Sequence, residues 1–199
     1  MEIIKIASLF YLLFYYVVII GIRSFLLYKN TGINAITSKE KQGMEGFIER
    51  VFIVCLFLIS VIVLNFVFLE NNYQWLIPIT YLENLTVGYL GIGISFVGIA
   101  IGTIAQLQMG NSWRLGLKKN EKTNLVLIGF FKYSRNPIYV GALISYIGFF
   151  LMMPNALSFA FLAVSYVALE IKIRLEEQYL ERVHTTEYSK YTSSVRRWI

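Results

Sequence analysis

Charge is what this chain has least of. Asp, Glu, Lys and Arg make up 15% of its 199 residues, against 57% hydrophobic residues and a mean hydropathy of +0.61, a balance that excludes an ordinary soluble domain. Cysteine is nearly missing too. Cys55 stands alone, so no internal disulfide can form and the redox compartment is left open. No internal repeat, low-complexity tract or domain linker interrupts the chain, and residues 1–199 read as one membrane domain. The apolar stretches carry almost no charge at mid-depth, where a transporter places ionisable groups, so a small transporter or structural membrane protein is the weaker reading.

What is there is apolar length. Four stretches stand out: Ile3 to Tyr28, Phe47 to Leu69, Leu85 to Leu107, and Ile138 to Ile173 with a break at Pro154-Asn155. A hydrocarbon core of about 30 Å needs roughly 20 helical residues, so the first three are expected to span it and the fourth to be a hairpin of two helices. The fold class that follows is all-α integral membrane, with about five transmembrane helices, the last two a hairpin, and cytoplasmic C-terminal amphipathic helices. The first stretch is too long, and lacks a following small-residue site, for a cleaved signal peptide, and is expected to remain in the mature protein. The three N-terminal spans occupy residues 3–107 and the candidate functional part residues 108–199.

The net charge of +6 is a topology signal. All Lys and Arg except Lys5 fall in the first basic loop, the third loop or the tail, so by the positive-inside rule the N-terminus faces out and the C-terminus faces the cytoplasm. Dispersed at helix ends, these charges make no nucleic-acid patch. Glu70 to Thr86 holds no Lys or Arg but has Tyr73, Trp75 and Tyr81, an interfacial aromatic belt.

Local signals gather after the third span. Gly98 and Gly102 make a small-xxx-small pair that lets another helix approach closely, an intramolecular neighbour being expected. Met109 to Gly116 is rich in turn residues, with Trp113 suited to the headgroup level. Asn136-Pro137 starts a helix, with Pro at its first turn and Asn as N-cap. Arg135 just ahead of that N-terminus does not complement its partial positive charge. Either an anion held between them resolves the conflict, or Arg135 snorkels to lipid phosphate. Leu169, Ile173, Leu180 and Val183 carry one amphipathic helix from the membrane into the cytoplasm, with Lys172 and Glu176, and Arg174 with Glu170 or Glu177, at ion-pair spacing. His184 reads as a solvated turn residue. Tyr188, Tyr191 and Val195 form the stripe of a last short helix.

The ordered set Gly110-Asn-Ser-Trp-Arg114, Leu125-Val126 with Gly129, Arg135-Asn-Pro-Ile-Tyr-Val-Gly141, Glu176-Glu177, Glu187-Tyr-Ser-Lys-Tyr191 and Val195-Arg-Arg-Trp198 resembles the integral-membrane methyltransferases. That superfamily includes isoprenylcysteine carboxyl methyltransferase and the phospholipid N-methyltransferases. The resemblance covers roughly residues 108 to 198. It implies S-adenosyl-L-methionine as methyl donor, bound near the cytoplasmic face, and a lipophilic small-molecule or lipid-modified acceptor met in membrane lipid. Neither metal nor nucleic acid is implied. For the cofactor it points to Leu125, Val126, Phe131, Arg135, Asn136, Pro137, Tyr139 and Glu176. For the chemistry it points to Glu177 as proton acceptor and to Arg174, with Lys172 as its rival, beside the acceptor. The chain departs from the pattern at Asn136, where much of the family has His, and at Phe131, where a hydroxyl is common. The Arg-Asn-Pro form is similar to bacterial members, implying a prokaryotic cell membrane. A sterol-type membrane reductase using NADPH is a second enzyme reading, since such enzymes end on a similar segment.

Overall fold

The apolar stretches fold as helices, and among the described residues no strand forms. The structure, a computed structural model, describes residues 1–22, 25, 28–29, 43–110 and 125–199. Trp113, Arg114 and Gly116, and with them most of the turn-rich loop, lie outside these residues. The order is α1 (Glu2–Phe14), a π-helical continuation Tyr15–Ile22, α2 (Gly43–Phe68), α3 (Leu85–Met109), α4 (Pro137–Met152), α5 (Ala156–Val183) and α6 (Thr185–Ser194). Three of these, α2, α3 and α5, are long and apolar enough to cross a membrane, by length and composition.

The first stretch differs from the single α-helix its hydropathy predicts. The hydrogen-bond register widens at Tyr15 and the backbone continues as a π-helix to Ile22. Tyr11 and Tyr15 both direct their hydroxyls to Ser145 Oγ on α4, at 2.9 and 3.3 Å. A side-chain anchor thus sits on each side of the change of register. Helix α4 has 16 residues, about 24 Å at 1.5 Å per residue, and falls short of a full hydrocarbon thickness.

Glycine decides how α3 and α4 meet. A Cβ at Gly98 would collide with the backbone of Ser145 and Gly141, one at Gly91 with that of Met152, and one at Gly148 with Ser95. The two helices therefore touch backbone to backbone. The small-residue spacing in α3 serves an intramolecular contact, as expected.

The break at Pro154-Asn155 is a capped turn. Asn155 Oδ1 accepts from Ser158 N at 2.8 Å while Ser158 Oγ accepts from Asn155 N at 3.1 Å, a reciprocal cap that starts α5. Ile79 N donates to Pro154 O at 2.8 Å and Ala156 N to Ile77 O at 3.0 Å, so the 70–84 loop is pinned to this turn. Between the two ends lies an apolar core of Ile59, Ile62, Val63, Phe149 and Phe161. It holds α1, α2, α4 and α5 together, and α5 then runs on to Val183, where His184 turns the chain back as α6.

Candidate functional site

Two neighbouring carboxylates on α5, Glu176 and Glu177, organise the end of the bundle where α4 begins. Successive helix residues point about 100° apart, so the pair serves two different surroundings. The segment in front of α4 is itself fixed by α3. Gln108 Oε1 accepts from Phe130 N at 2.9 Å, and Gly129, at φ +61°, leaves room for that amide where a Cβ would strike it. This turn buries Phe131 and delivers Arg135 and Asn136 to the N-terminus of α4.

Glu177 is buried and accepts from three side chains. Oε1 takes Arg135 Nε at 3.0 Å and Asn136 Nδ2 at 3.2 Å, and Oε2 takes Arg197 Nε at 2.9 Å and Nη2 at 2.8 Å. The tail folds over the same place. Arg135 N donates to Arg196 O at 3.0 Å, Asn136 Nδ2 to Arg197 O at 3.1 Å, and Arg135 Nη1 to Thr192 O and Val195 O, each at 3.3 Å. Tyr191 Oη donates to Phe131 O at 2.6 Å. Trp198 closes the strap, stacked on Tyr166 with ring centroids 6.3 Å apart and donating to Glu170 Oε2 at 3.2 Å.

This geometry corrects two expectations. Asn136 does not cap α4 with its side chain, because that amide donates to Glu177 and to the tail. The conflict between Arg135 and the helix N-terminus is met by Glu177 and by tail carbonyls, which supply the negative charge a bound anion would have brought. Pro137 stands at the first turn of α4, as expected.

Glu176 faces the other way. It accepts from Tyr139 Oη at 2.6 Å and pairs with Lys172 Nζ at 3.4 Å. The Lys172 side chain is only 10% exposed, whereas that of Arg174 is 60% exposed and pairs with Glu170 at 2.8 Å. Lys172, not Arg174, therefore stands beside Glu176 and Tyr139. Leu125 and Val126 lie half-buried in the stretch leading to Gly129. His184 is a turn residue, yet its side chain is 13% exposed beside Glu187, less solvated than expected.

Burial sets the electrostatics of the strap. The Tyr191 phenol is pushed up to about 12 by desolvation, which nearby Arg135 partly offsets. Desolvation pushes Tyr188 up as well, and its hydroxyl is buried without a hydrogen-bond partner among the described residues. The bond to Glu177 holds the Arg197 guanidinium above its ordinary value. Among the described residues no three His, Cys, Asp or Glu side chains converge as a metal site. Sequence reasoning missed Arg197 as the partner of Glu177; its presence in the closing Arg-Arg-Trp run was the one available signal.

A model of the phospholipid methyltransferase family matches residues 86–187, from the start of α3 into α6 and just over half of the chain. The protein-S-isoprenylcysteine O-methyltransferase of Saccharomyces cerevisiae is 32% identical over 109 residues, covering 53% of this chain and 46% of that protein. The chain thus spans about half the length of that relative. Probable protein-S-isoprenylcysteine O-methyltransferases of Oryza sativa subsp. indica and subsp. japonica are each 28% identical over 138 residues, 68% of this chain and 72% of theirs. No solved structure matches. With α3, α4, α5 and both glutamates inside the matched region, the chain belongs to the phospholipid methyltransferase family.

Proposed function

We propose that this protein transfers the methyl group of S-adenosyl-L-methionine to a lipophilic acceptor that carries a carboxylate. The observation that carries the reading is the Glu176, Tyr139 and Lys172 cluster at the end of the α4–α5 pair, where a membrane helix passes into an amphipathic one. In this reading α1 with its π-helical continuation and the short α4 complete five spans, α4 and α5 forming the hairpin. The basic loops and tail face the cytoplasm of a prokaryotic cell.

The residues suit the cofactor. It supplies an electrophilic methyl on a sulfonium. Glu176, with a side chain 25% exposed, offers an acceptor to amino or ribose groups, and the Tyr139 ring offers a π face to a cation. Pro137, Leu125 and Val126 provide apolar wall. Arg135, Asn136 and Phe131 act one step back, since they hold the tail that closes the pocket over.

Lys172 supports a carboxylate acceptor over an amine. A shielded ammonium attracts an anion and repels a cation. Such an acceptor brings its own charge and requires no base, so rate comes from alignment and from keeping water out. Glu177 fits this picture as a positioning residue rather than a proton acceptor, both of its oxygens being taken by Arg135, Asn136 and Arg197. The names of the yeast and rice relatives, which act on isoprenylcysteine, point to the same acceptor class.

Titration with S-adenosylhomocysteine by calorimetry tests the reading. Glu176→Gln is expected to weaken binding by roughly tenfold or more, the scale of a lost bond to a charged group. Glu177→Gln should lower the melting temperature instead. Absence of binding at millimolar ligand to the wild-type protein would overturn the assignment.

A further inference from the structure

The 70–84 loop, at the end of the bundle opposite Glu176, carries its largest apolar side chains outward. Trp75, Ile77 and Tyr81 are 83%, 68% and 81% exposed, and neither aromatic side chain has a partner among the described residues. Ile77 holds a backbone conformation that makes this exposure costly. Among the described residues it is the one non-glycine with positive φ, at φ 56° and ψ 75°, a region that a β-branched side chain rarely enters. Hydrogen bonds on both sides keep it there. Ile77 N donates to Gln74 O at 3.1 Å, Ile77 O accepts from Ala156 N at 3.0 Å, and Ile79 N donates to Pro154 O at 2.8 Å. Pro78 between them has no N–H, so from 77 to 79 no backbone donor is left open.

A loop in water needs no such closure, because water serves its N–H groups, whereas a loop at the edge of hydrocarbon must satisfy them from within the protein. The neighbours of the loop name lipid as what covers it. The loop begins beyond Phe68 and ends at Leu85 and Tyr89, exposed apolar residues of α2 and α3, two helices long and apolar enough to cross a membrane. Lipid that covers those flanks continues over the loop. With Glu70 and Glu83 and no Lys or Arg, the loop itself has no cation for a phosphate, so its attraction to lipid is apolar. Asn72, Gln74, Thr80 and Glu83 are exposed between the apolar groups, which keeps the loop at the boundary of the hydrocarbon and out of its centre.

We propose that the 70–84 loop is a membrane anchor seated at the headgroup–acyl boundary of the leaflet opposite the tail, with Trp75 and Tyr81 among the headgroups and Ile77 on the acyl chains. The strained backbone at Ile77 is what turns that side chain into the lipid. The bonds to Pro154 and Ala156 pass the fixed level to the α4–α5 turn. The 16 residues of α4, about 24 Å, then set how far Tyr139 and Glu176 stand from the anchor, which leaves them inside the far surface of a hydrocarbon layer about 30 Å thick. On the function proposed above, that is the level at which a lipophilic acceptor and a soluble cofactor meet. That consequence rests on the proposed function; the anchor does not.

The test reads the fluorescence of Trp75 in the full chain carrying Trp113→Phe and Trp198→Phe, reconstituted in phosphatidylcholine vesicles with bromine near the carbonyl end or near the methyl end of the acyl chains. Bromine near the carbonyl end is expected to quench Trp75 by roughly half or more, and more than bromine near the methyl end, while iodide on both sides of the membrane quenches it weakly. Ile77→Asn, which tolerates positive φ but withdraws the apolar side chain, should shift the balance toward iodide by roughly twofold or more. If the double variant folds poorly, the wild type and Trp75→Phe give the same emission by difference. Free access of iodide without bromine quenching, or shielding from both quenchers by a second copy or another protein, would overturn the proposal. So would an Ile77→Asn variant quenched as the parent is. None of these readings involves S-adenosylhomocysteine, so the anchor and the proposed chemistry fail separately.

Discussion

Glu177 and Arg197, 20 residues apart, are joined by two bonds to one oxygen, Nε at 2.9 Å and Nη2 at 2.8 Å from Oε2. The other oxygen is left to Arg135 and Asn136, so one buried carboxylate holds α5, the N-terminus of α4 and the tail at once. Its neighbour Glu176 takes no part in this knot and stays with Tyr139 and Lys172. One glutamate ties three segments together, and the other keeps a separate pair of partners.

Arg197→Ala should loosen the strap without unfolding the bundle. The substitution removes two charge-assisted bonds to Glu177 and a longer one to Glu170 at 3.5 Å, together worth about 1.5–3 kcal/mol at most for a side chain one-third exposed. Glu177 keeps Arg135 and Asn136, so helices α4 and α5 stay joined. Limited trypsin digestion should cut within α6 and the tail several-fold faster, while the helical circular dichroism signal is retained. Cleavage at the wild-type rate would show that the strap is held elsewhere.

Lys172 and Arg174 should behave oppositely. Two helix residues apart, they point about 200° from each other, and only Lys172 shares a face with Glu176. Lys172→Met is expected to raise KM for a carboxylate acceptor by roughly tenfold or more. Arg174→Ala breaks an exposed pair with Glu170 and should change stability by no more than about 0.5 kcal/mol. Kinetics on membranes with a farnesylated cysteine acceptor separate the two.

That contrast also measures what was readable in the chain. Spacing alone put Lys172 with Glu176 and Arg174 with Glu170 or Glu177, because three or four residues return to the same helix face; the structure pairs Arg174 with Glu170. Spacing could not say which face was inside, since α5 is apolar nearly all round before Lys172. Punctuation residues were legible: Pro137 starts α4, and Pro154-Asn155 separates α4 from α5. The partner of Glu177 was not, for Arg197 arrives through a turn and a second helix with no periodic trace. Nor was the widened register at Tyr15, which coincides with a hydroxyl on α4, 130 residues away. Local rules reach one or two turns, and these contacts are closed by tertiary structure.

Gly98→Ala should push α3 and α4 apart. The new Cβ would meet the backbone of Ser145 and Gly141, and backbone cannot rotate away as a side chain can. Overpacking of this kind costs about 1–3 kcal/mol. Gly93→Ala, on the same helix with nothing within 4 Å of its Cβ, should be neutral or slightly stabilising. Thermal melting in detergent of the two variants side by side isolates the close approach from any general effect of adding a methyl to α3.

Alkaline pH should release the tail before it melts the membrane helices. In the folded state the Tyr191 phenol keeps its proton to about 12, chiefly because its burial penalises the anion, whereas an unfolded tyrosine loses it near 10. Between these values the folded form binds more protons than the unfolded one, so stability falls as pH rises through that window and is level below it. Tyr188, pushed up in the same sense and with no hydroxyl partner among the described residues, adds to the fall. Tyr191→Phe loses the bond to Phe131 O and should start less stable at pH 8, yet its midpoint should drop less steeply between pH 10 and 12. Denaturation midpoints at closely spaced pH values give both slopes, and parallel slopes for wild type and Tyr191→Phe would rule out this tyrosine as the group that titrates.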